Sequence, residues 1–468
     1  MVFSSLIFIF IFLPITLVIY YLVPRTKQNY VLLISSLFFY GWGEPVYIIL
    51  MVISIMINHL GGLLIQEYRE NKDFCKFIFI AVLVLDLSSL VFFKYYGFII
   101  DNINLIFNTS LRIRNLPLPL GISFYTFQLV SYVADVYMEK VEAQDNIITF
   151  GAYISMFPQL VAGPIVQYRH VKEQLFNRAK SIYKFGVGVE RFIMGVGKKV
   201  LLANNLGLAW KAIKAMPIGE VSVLSSWIGI IAFTLQIYFD FSGYSDMAIG
   251  LGKMMGFDFL ENFKYPYISK SVTEFWRRWH MSLSGWFREY MYIPLGGNRR
   301  GKKIQFRNLM IVWFATGLWH GASWNFVVWG LYFGILIFFE KMYISKVLER
   351  LPRGVGHLYT LVLIIIGWVF FETESLRGAF SYLSVMFGLS GNSIVDNMGI
   401  YTLRSNLLII TLAIIASTPF FKNFFKLIKE KLKLRGVAVA IVSNILILFI
   451  STVYLVSETY NPFLYFRF

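Results

Sequence analysis

Cysteine is nearly absent from this chain of 468 residues, Cys75 being the only one. That excludes an internal disulfide and a cysteine-rich metal site. Charge is scarce as well. Asp, Glu, Lys and Arg make up 15% of the residues, against about 25% in an ordinary soluble domain. No Gly/Ser-rich or Pro-rich linker divides the chain and no unit repeats at a fixed period, so a single domain over 1–468 is expected.

What the chain has in excess is apolar and aromatic surface. Hydrophobic residues are 57% and aromatics 18% of the sequence, and the mean hydropathy is +0.64. Runs of about 20 apolar residues recur along the whole length, each able to cross a hydrocarbon layer of ~30 Å. Roughly 11 to 13 such runs can be marked. The fold class expected is all-α, a polytopic integral membrane protein. Residues 2–23 lack a basic start and a small-residue cleavage site, and Pro14 sits in their middle. They read as a retained first helix, not a signal peptide. Polar residues gather between about 117 and 325, so a catalytic middle is expected over about 117–340, flanked by plainer helices at 1–100 and 355–457 and an aromatic tail at 458–468.

The net charge is +17. In so apolar a chain, basic residues mark cytoplasmic loops and lipid contact instead of a nucleic-acid partner. Residues 169–199 carry eight Lys/Arg against Glu173 and Glu190. Residues 264–307 carry ten against Glu274 and Glu289, and 422–435 carry six against Glu430. These three stretches are assigned to the cytoplasmic side, which places the N- and C-termini outside.

Four stretches combine polar groups with apolar surroundings. The first is SVTEFWRRWHMSLSGWFREYMYIPLGG at 271–297. As one helix it puts Trp276, His280, Leu283 and Phe287 on one face and Arg277, Met281, Ser284 and Arg288 on another. Ser271 and Glu274 have capping-box spacing at its start. Either this is an interfacial anchor whose arginines meet lipid phosphate, or His280 has a chemical role. The second is NLMIVWFATGLWHGASWN at 308–325, which places His320 near or within the bilayer. An ionisable group there marks a functional site, unless it serves only as a helix-end hydrogen-bond partner. Gly317 and Gly321 would either let a neighbouring helix approach closely or serve as substrate contacts. The third, QIYFDFSGYSD at 236–246, buries Asp240 and Asp246, either beside a histidine or paired with Lys/Arg. The fourth, FPQLVAGP at 157–164, reads as a broken helix, lining a cavity or serving packing. His59, His170 and His357 carry no chemical expectation. Two histidines without carboxylate or Cys spacing indicate no metal site.

Three stretches together resemble the membrane-bound O-acyltransferase family: YFDFSGYSDMAIGLGKMMGF at 238–257, NFKYPYISKSVTEFWRRWHMSLSGWFREYMYIPLGG at 262–297, and GLWHGASWNFVVWGLYFG at 317–334. PLGISFYTFQLVSYVADVY at 119–137 and FPQLVAGPI at 157–165 are similar to its bacterial alginate O-acetyltransferase-like branch. The resemblance implies membrane helices around a central funnel, with transfer of an acyl group to a hydroxyl. It places the functional histidines at His280 and His320. Neutral imidazole suits a base near neutral pH, so His320 is the candidate base, while His280 would hold the acceptor or donor or stabilise charge on the tetrahedral intermediate. It implies acetyl-CoA as a cytoplasmic donor and no bound cofactor. It also implies an extracellular or cell-wall polysaccharide acceptor, an exported esterase-like (SGNH-type) partner and residence in the cell (inner) membrane. Trp276, Arg277, Arg278, Trp319, Asp240 and Asp246 are candidates for donor binding or cavity lining. Arg299 and Arg300 are further candidates for the donor's phosphates. Tyr465, in the tail, is the candidate to carry the acyl group as an ester, unless the tail is only an aromatic anchor. Alternatives are a D-alanyl transferase acting on teichoic acid and, in another class, a proton-coupled transporter or flippase.

Overall fold

The computed structural model describes residues 1–113, 117–161, 163–458, 460 and 464. Among these the regular structure is entirely helical. Seven helices are long and apolar enough to cross a membrane: Ile48–Glu67, Lys72–Phe107, Val223–Met254, Trp324–Arg350, Arg353–Glu372, Asn397–Ala416 and Leu434–Ser457. The protein is therefore polytopic and all-α. Other apolar runs fold as shorter or interrupted helices, such as Phe8–Leu22, whose first turn is π-helical. The chain divides into two compact units.

The first unit comprises 1–192 and 245–260. The helix Ile122–Tyr137 runs through it with every residue from Ile122 to Val136 buried. Phe3, Phe8, Phe39 and Phe157 form a cluster in which the Phe3 and Phe8 centroids are 4.8 Å apart. The break expected near 157–164 is present: Phe157–Leu160 is a single buried turn, and Ser36 Oγ accepts from Phe157 N at 3.0 Å. Gly163 is packed so tightly that a Cβ would lie 2.5 Å from Gln159 Cα. The interruption thus serves close packing.

The second unit comprises 193–244 and 261–468. Its centre is an aromatic cluster including Trp276, Trp279, Trp313, Trp329, Phe333 and Trp368. Lipid is as apolar as these rings, so close packing, not removal from oil, holds such a cluster together. Helices Lys302–His320 and Trp324–Phe339 form a hairpin fitted backbone to backbone. A Cβ on Gly317 would lie 2.3 Å from Phe326 O, and one on Gly330 would lie 2.2 Å from Trp313 O. The packing role expected of Gly317 and Gly321 is realised, since a Cβ on Gly321 would strike the Phe326 ring at 2.2 Å. The basic helix Phe420–Leu432, by contrast, has no buried residue.

Candidate active site

The stretch 271–297 does not form the single helix that its spacing suggests. Val272–Trp276 is one helix and Met281–Phe287 another, and His280 between them adopts the left-handed conformation, with φ 44° and ψ 54°. For a residue with a Cβ that costs about 1–2 kcal/mol, so neighbouring contacts must hold it. They come from the segment 261–264: Lys264 N donates to Arg278 O at 2.9 Å and Met281 N to Asn262 O at 3.0 Å. The helix ahead of the turn is capped, with Ser271 Oγ accepting from Glu274 N at 3.0 Å. The Glu274 carboxylate reaches one residue beyond the expected capping box, to Lys270 N at 2.9 Å.

Asn262 fixes the imidazole of His280. Its side-chain oxygen accepts from Ser282 N at 3.2 Å and from Ser282 Oγ at 2.9 Å, and lies 3.2 Å from His280 Nδ1. The Ser282 backbone N–H can only donate, so the Asn262 atom there is the carbonyl oxygen. His280 Nδ1 must then carry the proton, which leaves Nε2 as the acceptor nitrogen. His280 is 1% exposed and lies outside the seven candidate spans. Burial pushes its imidazole down to about 3, so it is neutral at physiological pH.

His320 ends the helix Lys302–His320 and is 2% exposed. Trp319 joins it to His280: the Trp319 ring centroid is 4.9 Å from His320 and 5.8 Å from His280. Trp329 and Phe371 flank His320 at 4.9 and 5.3 Å, both nearly perpendicular. Phe241 stands 4.6 Å from His280. Trp276 reaches this group through Trp329, 5.6 Å away. The structure thus brings His280, His320, Trp319 and Trp276 into one buried aromatic setting, where polar interactions gain strength. The indole N–H groups of Trp276 and Trp329 are buried with no acceptor among the described residues.

Other candidates lie elsewhere. Asp240 pairs with Lys199 at 2.6 Å, both side chains being buried. Its second oxygen accepts from Leu464 N at 2.9 Å. Asp246 belongs to the first unit and pairs with Arg191 at 2.8 Å. Both carboxylates therefore follow the ion-pair alternative. Arg278 is committed to Glu274 at 2.8 Å and to Lys264 O at 3.1 Å. Arg277, Arg299 and Arg300 are exposed. Tyr465 lies outside the described residues. His59 stacks near Phe150 at 5.7 Å, and His357 Nδ1 meets Ser269 O at 3.1 Å. The sequence context of Asn262 carries no signal of its role, because its partners lie 18 and 20 residues away.

Residues 143–371, which include both histidines, match the family model MBOAT, membrane-bound O-acyltransferase family. The chain is 37% identical over its whole length to all of a probable alginate O-acetylase of Pseudomonas putida. It is 33% identical to a peptidoglycan O-acetyltransferase of Helicobacter pylori, over 84% of this chain and 81% of that one. Similarity to a teichoic acid D-alanyltransferase of Bacillus subtilis is 29% over 54% of this chain and 66% of that one.

Proposed function

The chain belongs to the membrane-bound O-acyltransferase family, and we propose that it moves acetyl groups from cytoplasmic acetyl-CoA to an extracellular or cell-wall polysaccharide. That it is an O-acyltransferase sets the transporter alternative aside. Similarity over the full length of an alginate O-acetylase, and over most of a peptidoglycan O-acetyltransferase, supports acetyl transfer to a glycan. The D-alanyl alternative rests on similarity to about half of this chain.

The observation that carries the mechanism is two buried histidines that both meet the ring of Trp319. His320 takes the proton of the acceptor hydroxyl as its oxygen attacks the thioester carbonyl. The C–O bond forms, the C–S bond breaks, and His320 returns the proton to the departing thiolate. His280, neutral and with Nε2 as acceptor, accepts a hydrogen bond from a second donor group of the bound substrate, because the single proton of the reacting hydroxyl goes to His320. A lone pair facing the developing oxyanion would repel it, so charge stabilisation does not fall to His280. Buried indole N–H groups, Trp276 and Trp329 among them, suit that task. Such donors contribute on the order of 2.7–4 kcal/mol in dry sites.

Exposed Arg277, Arg299 and Arg300 meet the donor's phosphates from the cytoplasmic side. The acyl group leaves on the outer side of the cell (inner) membrane, where the termini lie, for an exported esterase-like partner. Tyr465 supplies the hydroxyl of that step and carries the acetyl group as an ester; a hydroxyl of the partner then attacks the ester carbonyl, its C–O bond forming as the bond to Tyr465 breaks and the phenol regains the proton. The neighbouring residue supports this: Leu464 is tied to Asp240 in the unit that holds both histidines. Purified protein given acetyl-CoA or an acyl-carrier-protein thioester tests the donor. Thiol release from acetyl-CoA is the expected result, and release only from the carrier protein would favour D-alanyl transfer.

A further inference from the structure

Glu340 is a carboxylate at the end of an apolar helix, and it is 2% exposed. It begins a π-helical turn, Glu340–Ile344, that continues the helix Trp324–Phe339. Such wide turns recur at functional sites. Its two oxygens accept from Val272 N at 2.7 Å and from Thr273 N at 2.6 Å. These are the first N–H groups of the five-residue helix that leads into His280, and helix-start N–H groups have no partner within their own helix. Ser271 Oγ takes the next one, from Glu274. A helix this short does not form on its own. Two charge-assisted bonds to one buried carboxylate give it a fixed place.

From these contacts we infer that Glu340 is a positioning residue that sets His280 relative to His320, an assignment that rests on the two-histidine reading above. The connection is continuous. His320 ends the helix Lys302–His320. That helix is locked against Trp324–Phe339 where Gly317 meets Phe326 O and Gly330 meets Trp313 O. Glu340 follows directly and grips Val272 and Thr273. Val272–Trp276 then delivers the chain to the left-handed turn at His280. Every link is a backbone contact or a short bond to a buried group, so little slack separates the two imidazoles. A carboxylate is required because both partners donate. The amide of a glutamine would oppose one N–H with its own NH2.

The test combines a distance with kinetics. Spin labels are placed at Lys270→Cys and Tyr343→Cys, both exposed positions, in a Cys75→Ser background. The unmodified Glu340 protein should give one narrow label-to-label distance. Glu340→Gln should broaden or shift it, and kcat should fall by about 10²-fold with KM little changed, a loss larger than any drop in melting temperature accounts for. Glu340→Asp keeps both acceptor oxygens and should recover most of the rate, which also covers the case of a Gln protein that does not fold. An unchanged distance and an unchanged kcat in Glu340→Gln would overturn the assignment. So would a loss of rate that only tracks loss of folded protein. His320→Ala in the same assay separates the two ideas: full activity there sinks the two-histidine reading, while the distance still decides whether Glu340 holds the helix.

Discussion

Asn262 Oδ1 lies 3.2 Å from His280 Nδ1, and this contact decides which nitrogen of the imidazole is left as an acceptor. Asn262→Ala removes the acceptor and leaves Ser282 N–H buried and unmatched, at about 1–3 kcal/mol. The expected outcome is a lower melting temperature together with a loss of kcat larger than any change in KM. Steady-state acyl transfer at saturating donor checks it. Unaltered kcat in folded protein would show that the tautomer of His280 is of no consequence.

The neutral state of His280 has a consequence for stability against pH. Its folded pKa, lowered by burial to about 3, lies below the unfolded value of about 6.5. Between these limits the unfolded chain binds the extra proton, so stability rises with pH through that window and is level above it. Unfolding in micelles at pH 4 to 8 should therefore show a steeper acid slope for wild type than for His280→Gln. The two curves should run parallel at pH 7 to 8. Parallel curves throughout would contradict a buried, neutral imidazole.

Asp240 and Lys199 form a buried pair at 2.6 Å, and Asp240 also holds Leu464 N–H. Lys199→Met strands the carboxylate, which costs about 3–5 kcal/mol. Adding Asp240→Asn should recover much of that loss in a thermal melt. If the single variant melts like wild type, the pair is not a structural element.

Gly330 faces Trp313 O with no room for a side chain, a Cβ falling 2.2 Å away. Gly330→Ala forces the hairpin apart, at about 1–3 kcal/mol or more. Because His320 ends the partnering helix, activity should fall further than stability alone explains. Equal losses of folded protein and of rate would limit Gly330 to packing.

Much of this site is legible in one sequence. Scarce charge and long apolar runs identify an all-α membrane protein, and the RRWH and WHG stretches single out His280 and His320. The turn at His280 is not legible, because Trp276 and His280 keep helical spacing whether or not the chain breaks between them. Asp240 and Asp246 are visible as buried carboxylates, but their partners Lys199 and Arg191 depend on how helices pack. Asn262 and Glu340 are invisible for the same reason: the bonds from Glu340 cross 67 and 68 residues of chain. The π-helical turns at Arg288–Tyr292 and Glu340–Ile344 leave no mark on composition.

The role of His320 as the base is tested most directly by transfer from labelled acetyl-CoA, comparing purified wild type with His320→Ala at matched folded concentration. The wild type should transfer label, and the variant should be slower by roughly 10²–10⁴-fold. Full activity in His320→Ala would contradict it.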